Sequence, residues 1–252
     1  MEEYHVHVEK SRKETKPLMS STGVAMFKVY LWFALGLLIT GVVSLTIPNL
    51  LVSLVETSED PNVIVSGYST AMILSVVLML PAGIVMAIQS FRRNFPVMLT
   101  SYIIYSVGMG VLLSSVMLVF VGSGSQGIYT ISTAFFATGL IFLIMGLISA
   151  FSKVNFNFLV PIISTLIMGV FTISLVNILV GSEMIYWIVE FVLFGVMVIV
   201  VGIDTYNIKR LAEAGELDNP NLALYCAYRL YTDFIWIFIR ILYYLLLANR
   251  RN

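Results

Sequence analysis

Long apolar blocks make up most of this chain, and only short polar segments separate them. A bilayer core about 30 Å thick is crossed by about 20 apolar residues in helix. Seven runs reach that length, over 27–54, 66–91, 96–121, 128–151, 158–180, 184–206 and 222–248. The breaks carry turn chemistry: Glu59-Asp60-Pro61, Asn94 ahead of Pro96, Gly122-Ser123-Gly124-Ser125 and Gly181-Ser182. Short breaks force antiparallel neighbours. The pattern predicts an all-α integral membrane protein, a compact bundle of seven transmembrane helices. A polar tail over 1–26 precedes a single transmembrane domain over 27–248, and a short C-terminal tail covers 249–252. Small residues recur inside the spans, at Gly36 and Gly41, Gly108 and Gly110, Gly139 and Gly146, and Gly195 and Gly202. They are read as helix-packing positions.

Composition agrees. Of 252 residues, 59% are apolar and 11% charged, against roughly 45–50% and about 25% in soluble domains. So few charges cannot cover so much apolar surface in water. Net charge is zero, with no basic stripe and no recognised nucleic-acid motif, so no nucleic-acid partner is expected. The lone Cys226 excludes an internal disulfide and reads as a small apolar helix residue. His5 and His7, in the polar tail, make too poor a ligand set for a metal. No signal peptide is visible, so insertion is expected to start from the first span.

The placement of charge sets the orientation. Lys10, Arg12, Lys13, Lys16, Lys28, Arg92, Arg93, Lys153, Lys209 and Arg210 all fall on alternate connections, whereas the others hold Glu56, Glu59, Asp60 and Glu183. The positive-inside rule then predicts a cytoplasmic N-terminus. A prokaryotic inner membrane fits the short tail and the lack of targeting signals.

Ionisable residues inside the spans are costly and therefore informative. They are Glu190, Asp204, Arg229, Asp233 and Arg240. Span six is expected to continue past Lys209 to a stop at Gly215, and span seven to start at Pro220 with Asn219 as its cap. Asp204 and Asp233 then lie about 16 and about 21 Å from the connecting turn, at similar depth in an antiparallel pair. Two carboxyl groups in a shared dry site cannot both ionise cheaply, so one proton is expected to be shared. The pair also offers hard oxygen ligands to Ca²⁺, although two carboxylates fall short of the usual six to eight oxygens.

The alternative is purely structural. Arg229, four residues before Asp233, and Arg240, seven after it, share its face and can neutralise it. Glu190 is a vestibule residue or a surface residue beyond a misplaced boundary. Most aromatic residues of span seven read as interface belt and packing, with Tyr228 or Tyr231 as a weaker candidate partner of the aspartates. No nucleophile–base arrangement, phosphate-binding loop or Cys/His cluster is present, so neither enzymatic activity nor a cofactor is expected.

The stretches Val201-Gly-Ile-Asp-Thr-Tyr-Asn-Ile-Lys209 and Leu230-Tyr-Thr-Asp-Phe-Ile-Trp-Ile-Phe238 resemble the Bax inhibitor-1 family, as do the segments from Thr133 and from Ser149 to Asn157. The similarity runs from about residue 25 to about 247. The resemblance implies a seven-helix bundle with the last helix central and enclosed. It also implies a pH-sensitive Ca²⁺ leak, gated by two aspartates that share a proton, here Asp204 and Asp233. Bacterial members place an arginine near the pair from the inner end of the second span, to which Arg92 or Arg93 is the nearest match. Family members are also linked to suppression of cell death or to modulation of membrane proteases. A regulator that binds a membrane protein partner is thus an alternative to a leak, and a Ca²⁺/H⁺ exchanger is a variant of it. Arg229, Asp233 and Arg240 each cost roughly 2.5–3.5 kcal/mol at a helix centre. Arg250 and Arg251 fall outside if the seventh segment spans. That segment is therefore expected to be protein-enclosed, and incomplete spanning is an open alternative.

Overall fold

A computed structural model describes residues 21–88, 94–121, 124–151 and 155–250. Seven α-helices follow in order: α1 Ser21–Thr57, α2 Pro61–Ala87, α3 Phe95–Val121, α4 Gly124–Phe151, α5 Leu159–Val180, α6 Glu183–Glu213 and α7 Pro220–Arg250. Single 3₁₀ turns at Phe156–Phe158 and Glu216–Asp218 precede α5 and α7. All seven helices are long and apolar enough to cross a membrane. Hydrocarbon offers no hydrogen-bond partners, so the spanning backbone satisfies itself within helices. At 31 residues α7 is continuous and about 46 Å long, enough to span fully.

The helices outrun the apolar runs at their polar ends. α2 begins at Pro61, not 66, because Asp60 caps it: its carboxylate accepts from the Asn62 N–H at 3.0 Å, and proline suits the first helical position. α1 starts at Ser21, ahead of the expected 27. Gly124 and Ser125 lie in the first turn of α4 and not in the preceding break. Their composition signals a turn, but small residues are equally at home where a helix starts. Between α5 and α6, Gly181 adopts φ 67°, and Ser182 accepts from the Ile185 N–H at 3.4 Å. The stop of α6 is as expected: Gly215 has φ 73°, and Asn219 Oδ1 accepts from the Asn221 N–H at 3.0 Å at the start of α7.

α7 packs against α1, α3, α4 and α6, while α2 lies against α1 and α3, and α5 against α6. Leu224, Tyr231, Phe234, Ile235, Phe238 and Leu242 of α7 meet Tyr102, Met109, Leu113 and Met117 of α3 in the main core. Outward faces such as Phe136, Ile178 and Leu179 are apolar and exposed, as a lipid-facing surface requires. α7 also keeps one open flank, with Trp236 51% exposed and Tyr243 exposed. Its enclosure is therefore partial, and every in-membrane charge of α7 lies along or beside that flank.

Half of the glycines read as packing positions act that way. A Cβ at Gly36 would strike Tyr102, and one at Gly108 would strike Met79. One at Gly110 would lie 2.7 Å from Val43 Cβ, and one at Gly202 2.5 Å from the Met145 methyl. Gly41, Gly139, Gly146 and Gly195 have nothing within 4 Å; Gly41, Gly139 and Gly146 border cavities between the helices, and Gly195 is exposed. Gly110→Val is accordingly expected to destabilise the protein by about 1–3 kcal/mol through overpacking, and Gly139→Ala to be neutral or slightly stabilising. Thermal unfolding in detergent checks the pair, and equal midpoints for the two variants would refute this packing.

Candidate functional site

The site begins with a close helix contact. Gly202 lets α4 approach α6, and Ser149 Oγ donates to the Gly202 carbonyl at 2.8 Å. This draws the buried segment Val201, Gly202, Ile203, Asp204 and Thr205 into the protein. Asp204, one turn short of the polar end of the span, is 2% exposed. A carboxylate so placed needs donors. Arg229 of α7 supplies one, its Nη2 donating to Asp204 Oδ1.

Asp233 lies one turn beyond Arg229 on α7, close enough to Asp204 and Arg229 for their charges to interact. Asp233 Oδ2 is buried and has no hydrogen-bond partner among the described residues. Two carboxyl groups and one guanidinium thus share one site between α6 and α7. The two helix lengths counted from the connecting turn place both aspartates at similar depth.

The arginines are placed differently from expectation. Arg229 forms its ion pair across the helix interface, to Asp204, and not along α7 to Asp233. Its long stem reaches the neighbouring helix, where a fully buried carboxylate lies. Arg240 is beyond the aspartates' reach, seven residues or about 10 Å further along α7. It pairs with Glu190 of α6 instead, Nη1 donating to Oε2. Antiparallel packing accounts for this, since residues later in α7 face residues earlier in α6. Glu190 is therefore an interior helix residue in an ion pair, not a loop residue. Arg92 and Arg93 lie outside the described residues.

Tyr231 and Tyr228 do not reach the aspartates. Tyr231 precedes Asp233 by two residues, about 200° around the helix, and faces α1 and α3. Thr40 Oγ1 donates to the Ser106 carbonyl at 2.8 Å. Its single proton is thereby used, so the 2.6 Å contact with Tyr231 has the tyrosine hydroxyl as donor. Tyr228 packs edge-on against Tyr105 at 5.1 Å between ring centroids. Tyr102 donates to the Trp32 carbonyl at 2.8 Å. Sequence reasoning missed this hydroxyl network, because single Thr, Ser and Tyr residues in apolar helices give no signal of which will meet.

Among the described residues no group of three or more His, Cys, Asp or Glu side chains is placed to hold a metal ion. The guanidinium already occupies part of the Asp204 carboxylate.

Residues 23–251 match the family described as inhibitor of apoptosis-promoting Bax1. The chain is 30% identical over 233 residues to the inner membrane protein YbhL of Escherichia coli K12, covering 90% of this chain and 92% of that one. It is 27% identical over 177 residues to an uncharacterized membrane protein of Streptococcus pyogenes serotype M1, covering 69% of this chain and 72% of that one.

Arg229→Gln leaves Asp204 without its charged donor, and a loss of about 1–3 kcal/mol is expected. That is below the roughly 3–5 kcal/mol of a fully buried pair, because the Arg229 side chain is 41% exposed. Tyr231→Phe is expected to cost about 0.6 kcal/mol, the average for a polar contact in a membrane bundle. Lys209→Gln, which removes a surface pair with Glu213 at 3.9 Å, is expected to cost little. Unfolding measurements that reverse this order would contradict the assignment of partners.

Proposed function

The chain belongs to the Bax inhibitor-1 family, and we propose that it works as a pH-sensitive Ca²⁺ leak of a prokaryotic inner membrane, gated by a proton shared between Asp204 and Asp233. One observation carries this reading: the site holds two carboxyl groups against one guanidinium. With Asp204 matched by Arg229, the site is neutral only while the pair keeps a proton. Within hydrocarbon, neutrality is strongly favoured. Loss of that proton leaves two adjacent carboxylates that repel each other. The α6–α7 contact loosens, and a cation supplies the missing charge. Carboxylate oxygens favour a hard divalent ion such as Ca²⁺. Two of them, without a complete ligand shell, suit an ion that passes and does not stay.

The ten basic residues on alternate connections support a cytoplasmic N-terminus. In that orientation the aspartates lie in the cytoplasmic half of the membrane and Glu190 in the outer half. The printed name of the Escherichia coli relative supports the inner membrane as the location.

The test is Ca²⁺ entry into vesicles containing the purified protein, measured against pH. Deprotonation opens the route, so flux is expected to rise as pH is raised through neutrality. Asp204→Asn combined with Asp233→Asn is expected to abolish that pH dependence. Unchanged flux and unchanged pH dependence in the double variant would rule the mechanism out. An exchanger would differ in one respect, because an imposed proton gradient would drive its Ca²⁺ flux.

A further inference from the structure

We propose that the Glu190–Arg240 pair is a second closure on the same route, in which Glu190 is a relay site for a divalent cation and Arg240 is the built-in cation that occupies it when the route is shut. This rests on the ion-path reading above, but on different residues.

Arg240 Nη1 donates to the Glu190 carboxylate and, at 3.4 Å, to the Glu190 carbonyl. Tyr244 OH donates to that same carbonyl at 3.5 Å. The two charged side chains are 16% and 18% exposed, so the pair is neither buried solid nor free in solvent. Around it lie Tyr186 and Tyr243, their hydroxyls 3.5 Å apart. A crevice of about 590 Å³, lined by Trp187, Phe191, Tyr244, Leu247 and Ala248, opens beside the pair at that end of α6 and α7.

The pair is joined to the aspartate site by one face of one helix. Arg229, Asp233, Trp236 and Arg240 follow at spacings of four, three and four residues, which places them in a single row. Trp236, midway, is half exposed and lines a second cavity of about 590 Å³ between α2, α3 and α7. The row therefore runs along the unpacked flank of α7, with a carboxylate of α6 and an arginine of α7 at each end. At the aspartate end a carboxyl group is in excess. At the Glu190 end the charges match one to one, so the guanidinium fills the place a cation would take. Arginine has a long flexible stem and can withdraw its head toward the nearby interface. Withdrawal exposes Glu190 as an anionic step between the outer crevice and Asp233.

Two measurements on the full-length protein in vesicles test this. The first is Ca²⁺ flux for Arg240→Gln, Glu190→Gln and the charge-preserving Arg240→Lys. Arg240→Gln is expected to raise flux about three- to tenfold, the scale of a polar contact between membrane helices, while keeping its pH dependence. Glu190→Gln is expected to lower flux, and Arg240→Lys to stay near the native rate. The second measurement does not need flux. In a Cys226→Ala background, Trp236→Cys is treated from the outer side with a membrane-impermeant, positively charged thiosulfonate. Adding Arg240→Gln is expected to speed its labelling about three- to tenfold. Unchanged labelling, or unchanged flux in folded Arg240→Gln and Glu190→Gln proteins, overturns the second closure. A native protein that passes no Ca²⁺ overturns the leak reading itself, a different result from the first.

Discussion

Ionised groups inside hydrocarbon must be balanced locally, and this requirement organises the α6–α7 interface. Away from the polar ends of α6 and α7, these helices carry three carboxyl groups (Glu190, Asp204 and Asp233) and two guanidinium groups (Arg229 and Arg240). Two ion pairs cross the interface and leave one carboxyl over. On the proposed mechanism the arrangement closes electrically with one proton, shared between Asp204 and Asp233. The close Gly202–Ser149 contact serves the same end by burying Asp204.

α7 is held from two opposite sides. On one, Tyr231 donates to Thr40, which donates to the Ser106 carbonyl, tying α7 to α1 and α3 by uncharged bonds. On the other, Arg229 engages α6 through its ion pair with Asp204. On the proposed mechanism a change of protonation acts on this side only. The hydroxyl side stays fixed, and the helix has a firm edge about which its charged face can shift.

The seven helices and their order were legible because the signal is coarse, about 20 apolar residues between polar breaks. The similar depth of Asp204 and Asp233 was legible too, since Gly215 and Pro220 fix the turn from which both depths are counted. Partner choice was not. Arg229 can reach along its own helix or across to the next, and only the interface geometry selects Asp204. Arg240 lies on the right face to serve Asp233, yet its distance along the axis hands it to Glu190. The glycines show the same limit: composition cannot tell Gly110, pressed against Val43, from Gly139, which touches nothing. Helix ends were misjudged where capping by Asp60 extends a helix beyond its apolar run.

The connection between α6 and α7 has a consequence for biosynthesis. It consists of little more than Gly215 in the left-handed conformation and one 3₁₀ turn. A lone α7 released into lipid would carry three charged side chains, at roughly 2.5–3.5 kcal/mol each near its centre. Joined to α6 by so short a link, it can enter the membrane as one half of a hairpin whose partner already carries the matching charges. Assembly of the last two helices is then a single event, and the electrical balance of the finished protein is also the condition for its insertion.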